Sequence, residues 1–343
     1  RTVPRPFISL CLLIAIVLAG LASIVACGPE GGEVVVYVSL DQPFSEPVLQ
    51  AFERDTGIRV KAVYDVEAAK TTGLVNRIIA ESSHPVADVF WNNEFAQTIM
   101  LQQRGLLEPY DSPAAADIPE LFRDPEAHWN GFAARSRVLI INTDLVAAND
   151  YPRSIFDLLD PVWRGEIGIA NPLFGTTATH AAALFAFLGQ DEAKSYFEGL
   201  RANDARIVDG NSVVRDMVVS GELKVGLTDT DDAFVAVERG DPVTIVFPDQ
   251  EGIGTFSLPN TVMLIRGAPH AQEGKRLIDF LLSREVEEAL AHASSRQMPV
   301  RSGVPTPGDM PSLGDLKGMD VHPREVTEWM AVSAAWLREE FLQ

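Results

Sequence analysis

The sequence predicts an α/β protein of two lobes, each a mixed, mainly parallel sheet flanked by helices. Three observations carry this. Short β-branched runs alternate with helical patterns along most of the chain, the mark of βαβ units. The alternation loosens over 110–130 and then resumes, which divides the chain. The apolar runs also repeatedly end in polar residues, where open α/β sheets bind their ligands.

A leader precedes this body. Arg1 and Arg5 stand before an apolar run from Phe7 to Ala26 that closes on small residues and Cys27. A basic start, an apolar middle and small residues before a cleavage point make a secretory signal. The Cys after Ile24-Val25-Ala26 looks like a bacterial lipoprotein box. That implies a signal peptide over 1–26, lipid on Cys27, a polar tether over 27–33 and a body held at the cell membrane outside the cytoplasm. The competing reading is an uncleaved anchor, since about 20 apolar residues just span a bilayer.

Along the body, strands are expected at 34–39, 58–64 and 87–91, with helices at 46–55, 71–81 and 94–104 between and after them. The second half gives strands at 137–142, 166–170, 224–229 and 243–247. Its helices are expected at 179–188, 191–200, 211–219 and 231–239, and Ser154 reads as an N-cap for 155–159. Strands within 255–265 should return to the first lobe, followed by helices at 270–282, 284–293 and 323–341. The expected units are 33–134 with 255–305, then 135–254, with 306–343 packed across them.

Composition narrows the function. Cys11 and Cys27 both fall to the leader or its edge, so no disulfide, Cys-type zinc site or catalytic thiol is available. The net charge is −20; losing Arg1 and Arg5 takes 28 basic residues to 26 against 48 acidic ones, or −22. Such a chain repels nucleic acid and anionic headgroups. The six histidines, at 84, 128, 180, 270, 292 and 322, lack metal-ligand spacing. GxSxG, HExxH and phosphate-loop motifs are missing, so no enzyme is expected.

Four strand ends stand out. The first is followed by Asp41, and the third ends on Trp91 before Asn92-Asn93-Glu94. Trp91 either walls a ligand site or belongs to the core. Asn171 opens the turn that leads to Gly175-Thr176-Thr177, whose free N–H groups and hydroxyls suit an anion or simply cap a helix. Asp229, Asp231 and Asp232 repel one another and call for a cation or donors, although acidic residues also favour a helix start. Arg135 and Arg137 flank a strand expected to cross between lobes, where one could pair an anionic ligand or make a structural salt bridge.

Val35-Val36-Tyr37, Ala87-Asp88-Val89-Phe90-Trp91, Arg135-Ser136-Arg137-Val138, Asn211-Ser212-Val213, Ser220-Gly221-Glu222 and Gly226-Leu227 come in an order and spacing that resemble the iron(III)-type substrate-binding proteins of ABC importers. The resemblance implies the type 2 periplasmic-binding fold, a ligand between lobes that close by a hinge, and delivery to a permease with its ATPase. No cofactor is required; the transported ligand would be iron(III) with a synergistic anion. A monomer is expected. Members that bind iron use a His, a Glu and two adjacent Tyr. By position these fall on Asp41, on Asn93 or Glu94, and on Asp231 and Asp232, so both phenolates are lost. The anion turn falls on Gly175, Thr176 and Thr177, and Asn211 and Ser212 join the expected ligand set. Two solutes fit: a hard cation on Asp41, Glu94, Asp231 and Asp232, or a phosphonate or other anion on the Thr pair, with the Asp cluster on an amine.

Overall fold

The computed structural model describes residues 31–65, 72–308 and 310–343. The expected signal peptide and lipid site at Cys27 lie outside the described residues. No described helix is long and apolar enough to cross a membrane.

The first unit begins with β1 (Glu33–Val38), α1 (Gln42–Thr56), β2 (Arg59–Tyr64), α2 (Thr72–Ala80), β3 (Val89–Asn92), α3 (Ala96–Gln103) and the short β4 (Leu107–Glu108). β1 pairs parallel with β2 and β3. α1 starts earlier than its periodicity predicts because Pro43 sits where proline suits a helix start. The helix closes on Gly57, whose φ of +70° suits a glycine C-cap.

The long strand β5 (Asn130–Asn142) then runs through the molecule, buried along its whole length. Its first half pairs antiparallel with β10 (Ser257–Ile265), which also pairs with β3. Its second half pairs antiparallel with β8 (Val225–Asp229) and β9 (Val243–Val246). β6 (Ile167–Ala170) lies parallel to β8 and to β7 (Arg206–Val208). Two half-sheets therefore share one strand. The expected strand at 137–142 is only its second half. Asn130, Arg135 and Ser136 break the apolar pattern of the first half; Arg135 and Ser136 are tolerated because each finds partners inside.

The remaining helices are α4 (Gly175–Leu188), α5 (Gln190–Ala202), α6 (Asn211–Val219), α7 (Thr230–Arg239), α8 (Ala271–Leu281), α9 (Arg284–His292) and α10 (Pro323–Trp336), which ends in a π turn over Leu337–Phe341. Residues Ile155–Leu159 form a 3-10 helix, with Ser154 capping as expected. α4 begins at Gly175 and not at 179, so the Gly-Thr-Thr turn is its first turn. Trp336 packs on Phe185 of α4 at 6.0 Å and on Phe197 of α5 at 6.4 Å, seating α10 on the second unit. Arg324, near the start of α10, reaches Asp124 at 2.8 Å.

The shared strand is pinned from outside by one carboxylate. Ala133 has φ +44° beside the register shift between Pro259 and Asn260. Its N–H donates to Glu287 Oε1 on α9 at 2.9 Å, as does the N–H of Val300. The other oxygen of Glu287 accepts from Arg301 Nη1 at 3.0 Å. Glu287 is wholly buried, so every lone pair it uses is dry and unscreened. Glu287→Ala should cost about 3–5 kcal/mol, because it strands two buried N–H groups and leaves Arg301 with Asp117 as its one remaining carboxylate among the described residues. Equilibrium urea unfolding measures this, and an unchanged midpoint would remove Glu287 from that role.

Candidate ligand-binding site

The carboxyl ends of β1, β3, β6 and β8 carry the polar residues, and β5 brings Arg135 and Arg137 between them.

The deepest pair is Arg137 with Asp229. They are register partners across β5 and β8, and Arg137 Nη1 lies 2.6 Å from Asp229 Oδ1. Asp229 Oδ2 accepts from the Thr176 hydroxyl at 2.6 Å and from Asn211 Nδ2 at 2.9 Å. Arg137 also donates to Asn211 Oδ1 at 3.0 Å. Burial would push the Asp229 carboxyl up, but the charges of Arg137 and Arg135 overcome this and hold it below the usual range. Thr176 also accepts from Asn211 and Arg137, so its hydroxyl is saturated from within.

Thr177, the next residue, differs. It is buried, and its Oγ1 has no partner among the described residues. It lies in the first turn of α4, which no side chain caps. The first N–H groups of a helix have no intrahelical acceptor, and they carry the positive end of the dipole. Three further buried polar atoms of the site are without partners among the described residues: Ser39 Oγ after β1, and Arg135 Nε and Arg137 Nε on β5. Ser39 carried no signal of its own in the sequence, since one serine after a strand is unremarkable.

The remaining acidic residues are occupied. The ligand oxygens of Asp229, Asp231 and Asp232 lie within 4.8 Å of one another. Each nevertheless has its own guanidinium: Arg137 at 2.6 Å, Arg135 at 3.4 Å and Arg215 at 3.1 Å respectively. Glu94 is buried, with its oxygens on the N–H groups of Ala96 at 2.5 Å and Gln97 at 2.8 Å, at the start of α3. Burial pushes its carboxyl above the ordinary range against those donors and Arg135. Thr179 of α4 reaches it at 3.5 Å, linking the two units.

These features sit on a scaffold with known relatives. The family model for "Bacterial extracellular solute-binding protein" matches residues 84–315. This chain belongs to that family. Iron uptake protein A1 of Synechocystis is 28% identical over 298 residues, covering 84% of this chain and 81% of the relative. A putative 2-aminoethylphosphonate-binding periplasmic protein of Salmonella paratyphi A is also 28% identical, over 277 residues, covering 78% of this chain and 77% of the relative. The crystal structure of iron-bound HitA from Pseudomonas aeruginosa superposes with a TM-score of 0.79 at 23% identity, covering 89% of this chain and 98% of that one. The shared fold is the two-lobed periplasmic-binding architecture that the motif order implies.

Within this member of the family, the candidate residues separate. Asp229, Arg137, Thr176 and Asn211 form one hydrogen-bonded network, and Asp231 with Arg135 and Asp232 with Arg215 stand beside it, the three carboxylates within 4.8 Å of one another. Asn93 meets Arg135 through its carbonyl, which accepts from Arg135 Nη2. Asp41 is half-buried at the start of α1 and adds to the negative field around Arg135. Asn171 uses its side chain on the Leu173 N–H at 3.0 Å, shaping the turn before α4, and Ser212 lies half-buried in α6. Trp91 requires a correction. It is wholly buried, packed on Phe132 at 5.4 Å with its Nε1 on Asn260 at 3.4 Å, and so belongs to the core. The polar residues that follow it, Asn92, Asn93 and Glu94, are buried as well.

His180, on α4, stacks on Phe256 at 5.4 Å and 8°. Burial, aided by the Arg137 charge, holds its pKa down to about 3 from 6.5. Below pH 6.5 the unfolded chain therefore binds a proton that the folded chain refuses, so stability falls as the pH drops from 6.5 towards 3. His180→Phe should flatten this window. Urea midpoints at pH 7 and 4.5 for both proteins test it: an identical pH dependence would show that His180 does not contribute.

Proposed function

We propose that this chain is the extracytoplasmic substrate-binding component of an ABC importer and that it captures a small anionic solute bearing a phosphoryl or phosphonate group. The observation that carries this is the contrast within the site. Each carboxylate of the Asp cluster already has an arginine, whereas the Thr177 hydroxyl is buried without a partner on an uncapped helix start. A site whose cations are paired and whose donors are spare asks for an anion. An ammonium group on the same solute shares Asp231 and Asp232, both half-buried, with Arg135 and Arg215. The Salmonella relative named for 2-aminoethylphosphonate supports this class of ligand.

The solute sits between lobes of 33–134 with 255–305 and 135–254, which close over it and present it to a permease with its ATPase. A lipid on Cys27 holds the monomer at the membrane. No covalent chemistry is involved. A second reading, iron(III) on Asp41, Glu94, Asp231 and Asp232, draws on the proximity of the Asp oxygens and on the iron-uptake relative. Against it, both Glu94 oxygens are committed to the start of α3.

Thermal-shift titration of chelator-treated residues 28–343 decides between them. Metal-free 2-aminoethylphosphonate should raise the melting temperature, corresponding to about 2.7 kcal/mol at a hundredfold excess over Kd. Thr177→Val should weaken that binding by about tenfold or more, the value of one hydrogen bond to a charged group. A shift with iron(III) citrate alone, abolished by Asp231→Ala, would replace this proposal with the iron reading.

A further inference from the structure

Three helices of the second unit start around one carboxylate. Asp229 is itself the N-cap position of α7. Its Oδ2 accepts from Thr176 in the first turn of α4 and from Asn211, the first residue of α6. None of the three helix starts has a side-chain cap on its own backbone. α4 and α6 also lack an acidic residue in the first turn, so their positive ends meet at Asp229 without local compensation, whereas α7 has Asp231 and Asp232 in its own first turn. Arg137, wholly buried, adds a full positive charge to the same spot, and Asp229 is its one carboxylate within ion-pair distance among the described residues.

A buried arginine with three helix ends around it cannot remain without an anion. We infer that Asp229 is a built-in anion: its carboxylate, and no co-bound small ion or solute, holds the starts of α4 and α6 and the guanidinium of Arg137 in place. Asp229 is thus a positioning residue for Thr177 and does not touch the solute. The chain's own carboxylate fills the spot that a small carboxylate from solution would fit, so this half of the site is set before any solute arrives. The inference concerns the solute-free protein and stands or falls independently of which solute binds.

Chemical rescue tests it. Asp229→Ala leaves a carboxylate-sized space beside Arg137, and its melting temperature should fall. Sodium formate at tens of millimolar should restore at least half of that loss, while the bulky anion 2-(N-morpholino)ethanesulfonate at matched ionic strength should not. The unaltered chain should respond equally little to both. In an Arg137→Met/Asp229→Ala variant the cation is gone, and formate should lose its effect. If Asp229→Ala cannot be purified folded, its refolding yield from urea with each anion decides the same question, with formate expected to raise it selectively. A merely structural Asp229 would give a loss that neither anion repairs, and that result would overturn the inference. So would formate stabilising the unaltered chain as strongly as the variant.

Discussion

Arg137 and Asp229 face each other across β5 and β8, and the geometry of the site descends from that contact. A buried ion pair is costly to assemble, because both charges leave water, and it is held only when further hydrogen bonds satisfy both partners. Here those bonds come from Thr176 and Asn211, the residues that open α4 and α6. One electrostatic need thus orders two helix starts. It also uses up the Thr176 hydroxyl, which leaves Thr177 as the spare donor in that turn.

The same logic, a buried carboxylate organising backbone, recurs outside the site. Glu94 secures the start of α3, and Glu287 secures the shared strand at Ala133. Asp124 gathers His128, Gln102 and Arg324, which ties the start of α10 to the first unit. These groups account for much of what a net charge of −20 leaves inside the protein. In such positions acidic residues act as acceptors for N–H groups and arginines, and their number on its own says little about a cationic ligand.

Much of the scaffold was legible in the chain. β1 and α8 read clearly because an unbroken apolar run and a strong apolar stripe leave few alternatives. The first half of β5 was hidden, because a strand buried on both faces can carry polar residues only where tertiary partners await them. The Asp cluster and the Gly-Thr-Thr turn were visible as types of residue. Their division of labour was not. Which of two adjacent threonines serves Asp229 depends on helix phase, and whether Asp231 and Asp232 need a cation depends on Arg135 and Arg215 arriving from other elements. Trp91 was ambiguous for a related reason: burial at a strand end is decided by the neighbouring strand, here through Phe132 and Asn260.

Ala133 keeps a left-handed backbone that glycine would adopt freely, and the side chain adds a cost of about 1–2 kcal/mol. It does so in the strand that both half-sheets share, directly before Ala134, Arg135, Ser136 and Arg137. Because Glu287 holds the Ala133 N–H, that kink is fixed, and the direction in which the strand leaves it towards Arg135 and Arg137 is set by backbone and not by the arginines' own side chains.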